Sequence, residues 1–350
     1  MKITKLELDR FSAFKQATFE FSPGINVLLG ANGTGKSHLM KLLHCVLKTH
    51  RDVGEGNGGQ HNTFGTRLAQ KLDAVYRPDN HGIGRLVYRK VGKSKATVRL
   101  CADEGEVCFR LTTQGNVHVD ARTLPEAERV LFIPSREALA MYEGFIAAYE
   151  GRELAFDETY YDLCVALSAN PLKGPRAGAA SQLAKPLEQV LGGTVHLQGN
   201  KFFIYSDDGF IEAHLLAEGL RKIASLVRVI VNGSLMRNGF LFWDEPEANL
   251  NPKLVTVVAG TLRRLAAAGV QIFVSTHDYL LSTKLSLAAE YRQQQPKDLQ
   301  CDMRFFCLAR EGAGAVNVES APVLPLLKNN PILQEFAEHY NEETRLFSQD

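Results

Sequence analysis

The sequence is missing several features that would classify it at once. No apolar run approaches the ~20 residues that a membrane-spanning helix needs, so no bilayer segment is expected. Neither sign of charge dominates: 40 Lys and Arg stand against 39 Asp and Glu, a net charge of +1. That balance excludes a bulk electrostatic pull toward nucleic acid or an anionic surface and leaves only a local basic patch for such partners. The six cysteines, Cys45, Cys101, Cys108, Cys164, Cys301 and Cys307, show no C-x-x-C spacing. A zinc site or a disulfide framework is therefore not expected, and reduced thiols in a cytoplasmic protein are. There is no internal repeat, no low-complexity tract and no sustained heptad pattern from which a long coiled coil could be built. Residues Met1 to Arg10 alternate charged and apolar side chains as a strand does, unlike a signal peptide. What remains is an ordinary globular balance, 45% hydrophobic and 23% charged over 350 residues, enough for one elaborated domain.

Against that background one stretch stands out, Gly30-Ala31-Asn32-Gly33-Thr34-Gly35-Lys36-Ser37. It matches G-x-x-x-x-G-K-S/T, a loop whose glycines let backbone N–H groups converge on phosphate oxygens. Lys36 would neutralise charge on the β- and γ-phosphates, and Ser37 would place its hydroxyl on Mg²⁺. The apolar run Ile25 to Leu29 before it and the helical spacing from His38 to Leu43 after it supply the strand–loop–helix context, and the helix N-terminus adds partial positive charge. Gly30, Asn32, Gly33, Thr34, Gly35, Lys36, Ser37 and His38 are thus expected around a nucleoside triphosphate.

Along the chain, residues 1–22 read as two short strands, and the Lys36 helix as running to about His50. A glycine-rich loop spans 54–60, and a short helix covers Thr66 to Val75. From 84 to 120 the period changes to two, with strands at Leu86-Val87-Tyr88, Ala96 to Leu100, Val107 to Leu111 and Val117 to Val119, which reads as an inserted antiparallel β-subdomain. Val130 to Ile133 returns to the core, Ser135-Arg136-Glu137 opens a helix, and 137–190 reads as a helical insert broken at Asn170 to Pro175. A hairpin over Thr194 to Tyr205 and a helix from Ala217 to Val231 follow. Two apolar runs then end in polar clusters, Phe240 to Trp243 in Asp244-Glu245 and Val270 to Val274 in Ser275-Thr276-His277-Asp278. Residues 281–350 form a strand and helix extension.

Continuous apolar strands predict a parallel sheet covered on both faces, and in such sheets ligands gather at the carboxyl ends. Asp244 would hold Mg²⁺ with Ser37, Glu245 would orient the attacking water, and His277 would hydrogen-bond the γ-phosphate. Singly, an Asp-Glu pair is also what a helix N-terminus favours, and a His after a strand is more often structural. In this order behind a phosphate loop, the joint reading is the stronger one.

Together, Gly30 to Ser37 as Walker A, Phe240 to Glu245 as Walker B and Ser275 to Asp278 as the switch resemble an ABC-type ATPase. The opening ITKLELDRFSAFKQATFEFSPGINVLLGANGTGKS and the pair LLAEGLRKIASLVRVI and LFWDEPEANLNP are similar to the RecF/SMC/OLD-like branch, known from DNA metabolism and bacterial phage defence. The resemblance implies an α/β P-loop fold, a mostly parallel sheet with an antiparallel β-subdomain and a helical insert in one domain over 1–350. It implies ATP and Mg²⁺ as cofactors, Lys36, Glu245 and His277 as catalytic residues, and a head-to-tail dimer closed by ATP. Ala217, Glu218 and Gly219 stand where the family signature meets the partner's γ-phosphate. Ala217 replaces the usual Ser, so the hydroxyl contact is lost while the Gly219 N–H remains. Asn249 and its neighbours would lie along the dimer interface, and Ser135 stands near the place of an expected Gln. OLD-type relatives carry a nuclease domain after the switch; here about seventy residues follow His277, so a nuclease or toxin is expected on a separate effector protein. The sequence therefore suggests the ATPase subunit of a multi-component antiviral defence complex, at least a homodimer, cytoplasmic and without a membrane partner. The alternative is a RecF-like ATPase of DNA repair or recombination, with DNA gripped by a surface such as Arg85, Arg89, Lys90, Lys93, Lys95 and Arg99. A transporter ATPase fits less well, since DEPEANLNP is not its usual form.

Overall fold

The computed structural model describes residues 1–54, 63–88, 92–126, 129–310, 312 and 314–347. The glycine-rich stretch beyond Gly54, with Arg89 and Lys90, lies outside the described residues. The elements run β1 (Ile3–Phe11), β2 (Phe14–Glu20), β3 (Ile25–Gly30), α1 (Lys36–Gly54), α2 (Thr63–Tyr76), β4 (Lys95–Ala102), β5 (Glu106–Thr112), β6 (Val117–Arg122) and β7 (Val130–Ile133). Next come α3 (Phe145–Glu150), α4 (Glu158–Ser168), α5 (Pro175–Leu191), β8 (Thr194–Gln198), β9 (Lys201–Ser206), β10 (Gly209–Glu212) and α6 (Glu218–Val231). The chain continues through β11 (Phe240–Asp244), α7 (Pro252–Ala267), β12 (Gln271–Ser275), α8 (Tyr279–Glu290), β13 (Met303–Arg310), β14 (Val316–Ala321) and α9 (Pro331–Phe347).

The apolar runs become neighbours in a six-stranded sheet of order β14-β13-β3-β12-β11-β7, parallel except for β14 on its edge. Side chains alternate between its faces, as a period of two dictates. Phe132, Phe242, Phe273 and Phe306 point to one core, while Ile133, Trp243, Val274 and Phe305 point to the other. Both faces are covered, which is why these strands read as unbroken hydrophobics. The rings of Phe242 and Phe273 stack at 5.0 Å, and Phe21 meets Phe273 edge-on at 5.0 Å. Each fully buried ring contributes about 1.5–3 kcal/mol through area removed from water.

α1 lies under the phenylalanine face and shares its core with the inner side of a five-stranded antiparallel sheet, order β2-β1-β4-β5-β6. The strands between residues 95 and 122 thus extend the amino-terminal hairpin. Register fixes which residues they bury: Leu6 faces Leu100 and Leu8 faces Val98, while Glu7 faces Arg99 on the solvent side. Gln271, fully buried at the start of β12, links the two sheets. Its Oε1 accepts from Ile3 N at 2.8 Å, and its Nε2 donates to Ile3 O at 2.7 Å and Ser22 O at 2.8 Å.

Helices cover the other face, and α4 is tied at both of its ends. Toward its start Asp157 accepts from Lys41 Nζ at 2.8 Å, and Asp162 accepts from His44 Nε2 at 3.0 Å and Lys71 Nζ at 2.6 Å. At its end Arg228 Nε donates to Leu167 O at 3.0 Å and Asn232 Nδ2 to Ala166 O at 2.8 Å. The first set belongs to α1 and α2, the second to α6.

The local readings need three corrections. Leu86-Val87-Tyr88 is not a strand: Ile83–Leu86 is a 3-10 turn, and Val87 makes one isolated bridge to Phe11. Gly84 lies so close to Thr113 that a Cβ there would come 2.2 Å from its carbonyl oxygen, and the chain turns tightly at this contact. Ser135-Arg136-Glu137 opens no helix; bends and turns run to Gly144, and α3 begins at Phe145. Glu137 is turned to Arg221 Nε (2.7 Å) and accepts from Ala140 N (3.2 Å), so the spacing of Ala138, Leu139 and Tyr142 marks burial without a helix. Two strands that the periodicity did not show, β10 and β14, pair with β9 and β13.

Candidate active site

All six residues of β3 are buried, so the strand delivers its loop at a fixed point of the sheet edge. Gly30 turns at φ 143°, where a Cβ would stand 2.2 Å from Leu308 O of β13. Gly35 has φ 94°, with the Phe14 ring 3.1 Å from where its Cβ would be. Thr34 Oγ1 braces the loop by donating to Ala31 O at 2.8 Å. Lys36, at the start of α1, folds back so that Nζ donates to Gly30 O at 2.7 Å and Ala31 O at 3.1 Å. Burial lowers its pKa, and Asp244, Glu245 and Glu247 oppose that shift. The first N–H groups of α1 lack intrahelical acceptors, which with the glycine turns leaves a donor-lined cradle.

Register brings the acidic cluster to the same edge, since Asp244 is level with Ser275 and Ser275 with Leu28. Asp244 accepts the Ser275 hydroxyl. Glu245 is left-handed at φ 48°, a conformation costly for a side-chain-bearing residue. Its N–H donates to Ser275 O at 3.0 Å, and buried Lys222 donates to its carbonyl at 3.0 Å and to Ala248 O at 3.2 Å. The turn aims the carboxylate at the cleft, where Oε1 stands 3.7 Å from His277 Nε2. Burial, then the Lys36 charge, lowers the His277 pKa. Thr276 and His277 are pinned from beneath: Glu247 accepts from Thr276 Oγ1 at 2.7 Å and from His277 N at 3.1 Å. Burial raises the Glu247 pKa.

These groups line a cleft of about 750 Å³, wide enough for a nucleotide. Of the expected residues, Asn32, Gly33, Gly35, Lys36, Ser37, His38, Glu245 and His277 line it; Gly30, Thr34 and Asp244 stand behind as support. Ala217 and Gly219 do not: they open with Asn249 and Asn251 onto a separate groove of about 700 Å³. Sequence reasoning missed Ser12, whose Oγ lies 2.5 Å from His38 Nδ1, together with Tyr88 and Arg310 in the lining and Lys222 and Glu247 behind it. Ser12, Lys222 and Glu247 lie within the quoted stretches without a role having been read for them, and Tyr88 and Arg310 belong to no motif.

Two family models match, one described as "AAA domain" over residues 5–117 and one as "AAA domain, putative AbiEii toxin, Type IV TA system" over residues 144–283. Among curated proteins the chain is similar to the DNA replication and repair protein RecF of Acidothermus cellulolyticus, 38% identical over 53 residues, which is 15% of this chain and 14% of that protein. RecF of Ligilactobacillus salivarius is 33% identical over 96 residues, 27% of this chain and 25% of that protein. The matches span a quarter or less of these RecF proteins. Among solved structures the fold is similar to an Smc head bound to the C-winged helix domain of ScpA, with a TM-score of 0.52 at 13% identity, covering 92% of this chain and 98% of that one. An Smc head with an extended coiled coil, bound to the C-terminal domain of ScpA derived from Pyrococcus furiosus, gives 0.50 at 13% identity over 98% and 99%. The fold is that of an ABC-type ATPase, and the AAA and RecF matches support the RecF/SMC branch.

The segment expected as the signature starts α6, with Ala217 as a cap that lends no side-chain hydrogen bond. Gly219 is required there, because a Cβ would come 2.4 Å from Asn249 O. Arg221, one turn on, is held by Glu137, which accounts for part of the 135–137 segment. The six thiols are free, and among the described residues no helix is long and apolar enough to cross a membrane.

Proposed function

We propose that the chain binds ATP with Mg²⁺ in the cleft and hydrolyses it slowly when two copies meet head to tail. One observation carries this reading. A single sheet edge gathers Lys36, Asp244, Glu245 and His277, while Ala217 and Gly219 open onto another groove, which a second copy would present to the cleft. The donor cradle and Lys36 suit a triphosphate, and Ser37 with Asp244 offers the hard oxygen ligands that Mg²⁺ prefers. When bound, the ion would neutralise phosphate charge. Lys36 exchanges its loop carbonyls for phosphate oxygens, Glu245 orients water and accepts its proton, and His277 donates to the terminal phosphate. We treat 1–350 as one ATPase domain, with 84–120, 137–190 and 281–350 as its elaborations.

The test is Glu245→Gln with ATP, read by light scattering and phosphate release. The expected result is a nucleotide-loaded dimer with turnover almost lost. A monomer under all conditions with unchanged turnover sinks the reading.

We further propose that this dimer is the cytoplasmic ATPase subunit of a multi-component bacterial defence complex and controls a separate nuclease or toxin. The family description naming a toxin of a Type IV system supports it. The RecF matches support a second reading, DNA binding in repair or recombination. Of the basic run, Lys93 and Lys95 are exposed, Arg99 pairs with Glu106 at 2.7 Å and Arg85 with Asp79 at 3.1 Å. Co-purification with proteins encoded beside it decides. A stoichiometric second protein favours the first reading, and salt-sensitive DNA binding that tightens with ATP favours the second.

A further inference from the structure

We infer that Arg310, the last residue of β13, grips the terminal phosphate of ATP; this rests on the nucleotide reading above and extends it to a residue outside every motif. β13 runs parallel to β3 with Leu308 level with Gly30, so Arg310 stands two residues farther along, beside the first arm of the loop. Arg310 lines the same cleft as Lys36 and His277, and its Nη2 donates to Gly33 O at 3.1 Å.

Lys36 does the equivalent nearby, with Nζ shared between Gly30 O and Ala31 O. Two cations therefore rest on three carbonyl oxygens of one arm, residues 30–33. A neutral carbonyl is a weaker partner for a cation than a phosphate oxygen, since charge-assisted bonds are shorter and about twice as strong. A triphosphate entering the cleft thus draws both cations off the loop. Lys36 reaches the β- and γ-phosphates by the geometry of this loop type, and a guanidinium anchored on the same arm reaches the same end of the ligand. The planar fork of Arg suits two oxygens of one phosphate.

The supporting backbone is rigid, because β13 is hydrogen-bonded to β3 on one side and β14 on the other. The contact also answers an electrostatic need. Glu245 faces into the cleft, and a second fixed cation offsets its repulsion of the terminal phosphate.

The experiment is calorimetric titration of the full chain with ATP and with ADP, each with Mg²⁺, for wild type, Lys36→Ala, Arg310→Ala and Arg310→Lys. Melting temperatures without nucleotide are recorded alongside. Arg310→Ala should weaken ATP by about tenfold or more, the size of one lost bond to a charged group, and ADP by less than about twofold. Its nucleotide-free melting temperature should be unchanged, and Arg310→Lys should recover part of the ATP affinity. Equal losses for ATP and ADP with a lowered melting temperature would make Arg310 a clip for the empty loop and overturn the inference; so would no change at all. Lys36→Ala separates the two levels. If it binds ATP like wild type, the nucleotide reading itself fails; if it does not, an inert Arg310→Ala counts against Arg310 alone.

Discussion

Glu245 Oε1 stands 3.7 Å from His277 Nε2, each at the end of a buried strand, β11 and β12, that are adjacent in the sheet. The pair spans the side of the cleft that faces Lys36. A carboxylate whose removal costs only proton transfer and water orientation should affect turnover far more than binding. Glu245→Gln is expected to lower kcat by about 10²-fold or more while ATP affinity stays within a few-fold. Phosphate release and calorimetry check the two halves separately.

Lys222 holds the Glu245 turn, yet lies outside the cleft lining. Lys222→Met removes two bonds to backbone carbonyls and leaves the left-handed turn to relax. The expectation is a lower kcat with ATP affinity unchanged, because the loop and Lys36 are untouched. An unchanged kcat would show that the turn holds without it.

A buried histidine gives a pH dependence with a defined sign. His44 is fully buried, its pKa is lowered chiefly by burial, and its Nδ1 has no hydrogen-bond partner. The neutral ring donates Nε2–H to Asp162 and leaves Nδ1 bare, whereas a protonated ring would bury an orphan donor. The unfolded chain takes up this proton near pH 6.5 and the folded chain only below that, so stability is full above about 6.5 and falls as pH drops. Urea midpoints at pH 7.5 and 5.5 should differ in that direction, and His44→Gln should shrink the difference.

Asp162 is the common acceptor of His44 and Lys71; against the opposing effect of burial, the hydrogen bond from His44 and the Lys71 charge hold it below the usual carboxylate range. Asp162→Ala leaves the Lys71 ammonium buried with Glu158 at 3.3 Å as its remaining ion-pair partner. The expected cost is about 3–5 kcal/mol by chemical denaturation. Asp162→Ala with Lys71→Met should recover a good part of that loss.

Local chemistry made the centre of this site legible and left its surroundings hidden. A glycine loop between an apolar strand and a helix carries its own meaning, as does Asp244-Glu245 at the end of Phe240 to Trp243, because spacing within a few residues states both fold and chemistry. Pairing over long separations does not. Nothing local to Val98 or Leu100 says that they lie opposite Leu8 and Leu6, ninety or more residues away, and so join the amino-terminal hairpin. Ala138, Leu139 and Tyr142 imitated a helix because burial alone produced their spacing. Glu247, Lys222 and Gln271 are polar residues whose partners are backbone groups from distant elements, and such partners leave no pattern in sequence. Arg310 was invisible for the same reason, being brought to the loop by strand register.

The double fastening of α4 bears on how the protein opens. An eleven-residue helix resting on a surface would fray from its ends, and its amides would exchange with solvent turn by turn. α4 cannot do so: Lys41, His44 and Lys71 hold one end and Arg228 and Asn232 the other. Its amides become exchangeable only when α1 and α2 on one side and α6 on the other have let go. Protection in its middle turn is therefore a gauge of this whole part of the fold, and it reads the simultaneous release of three helices from the two ends of α4.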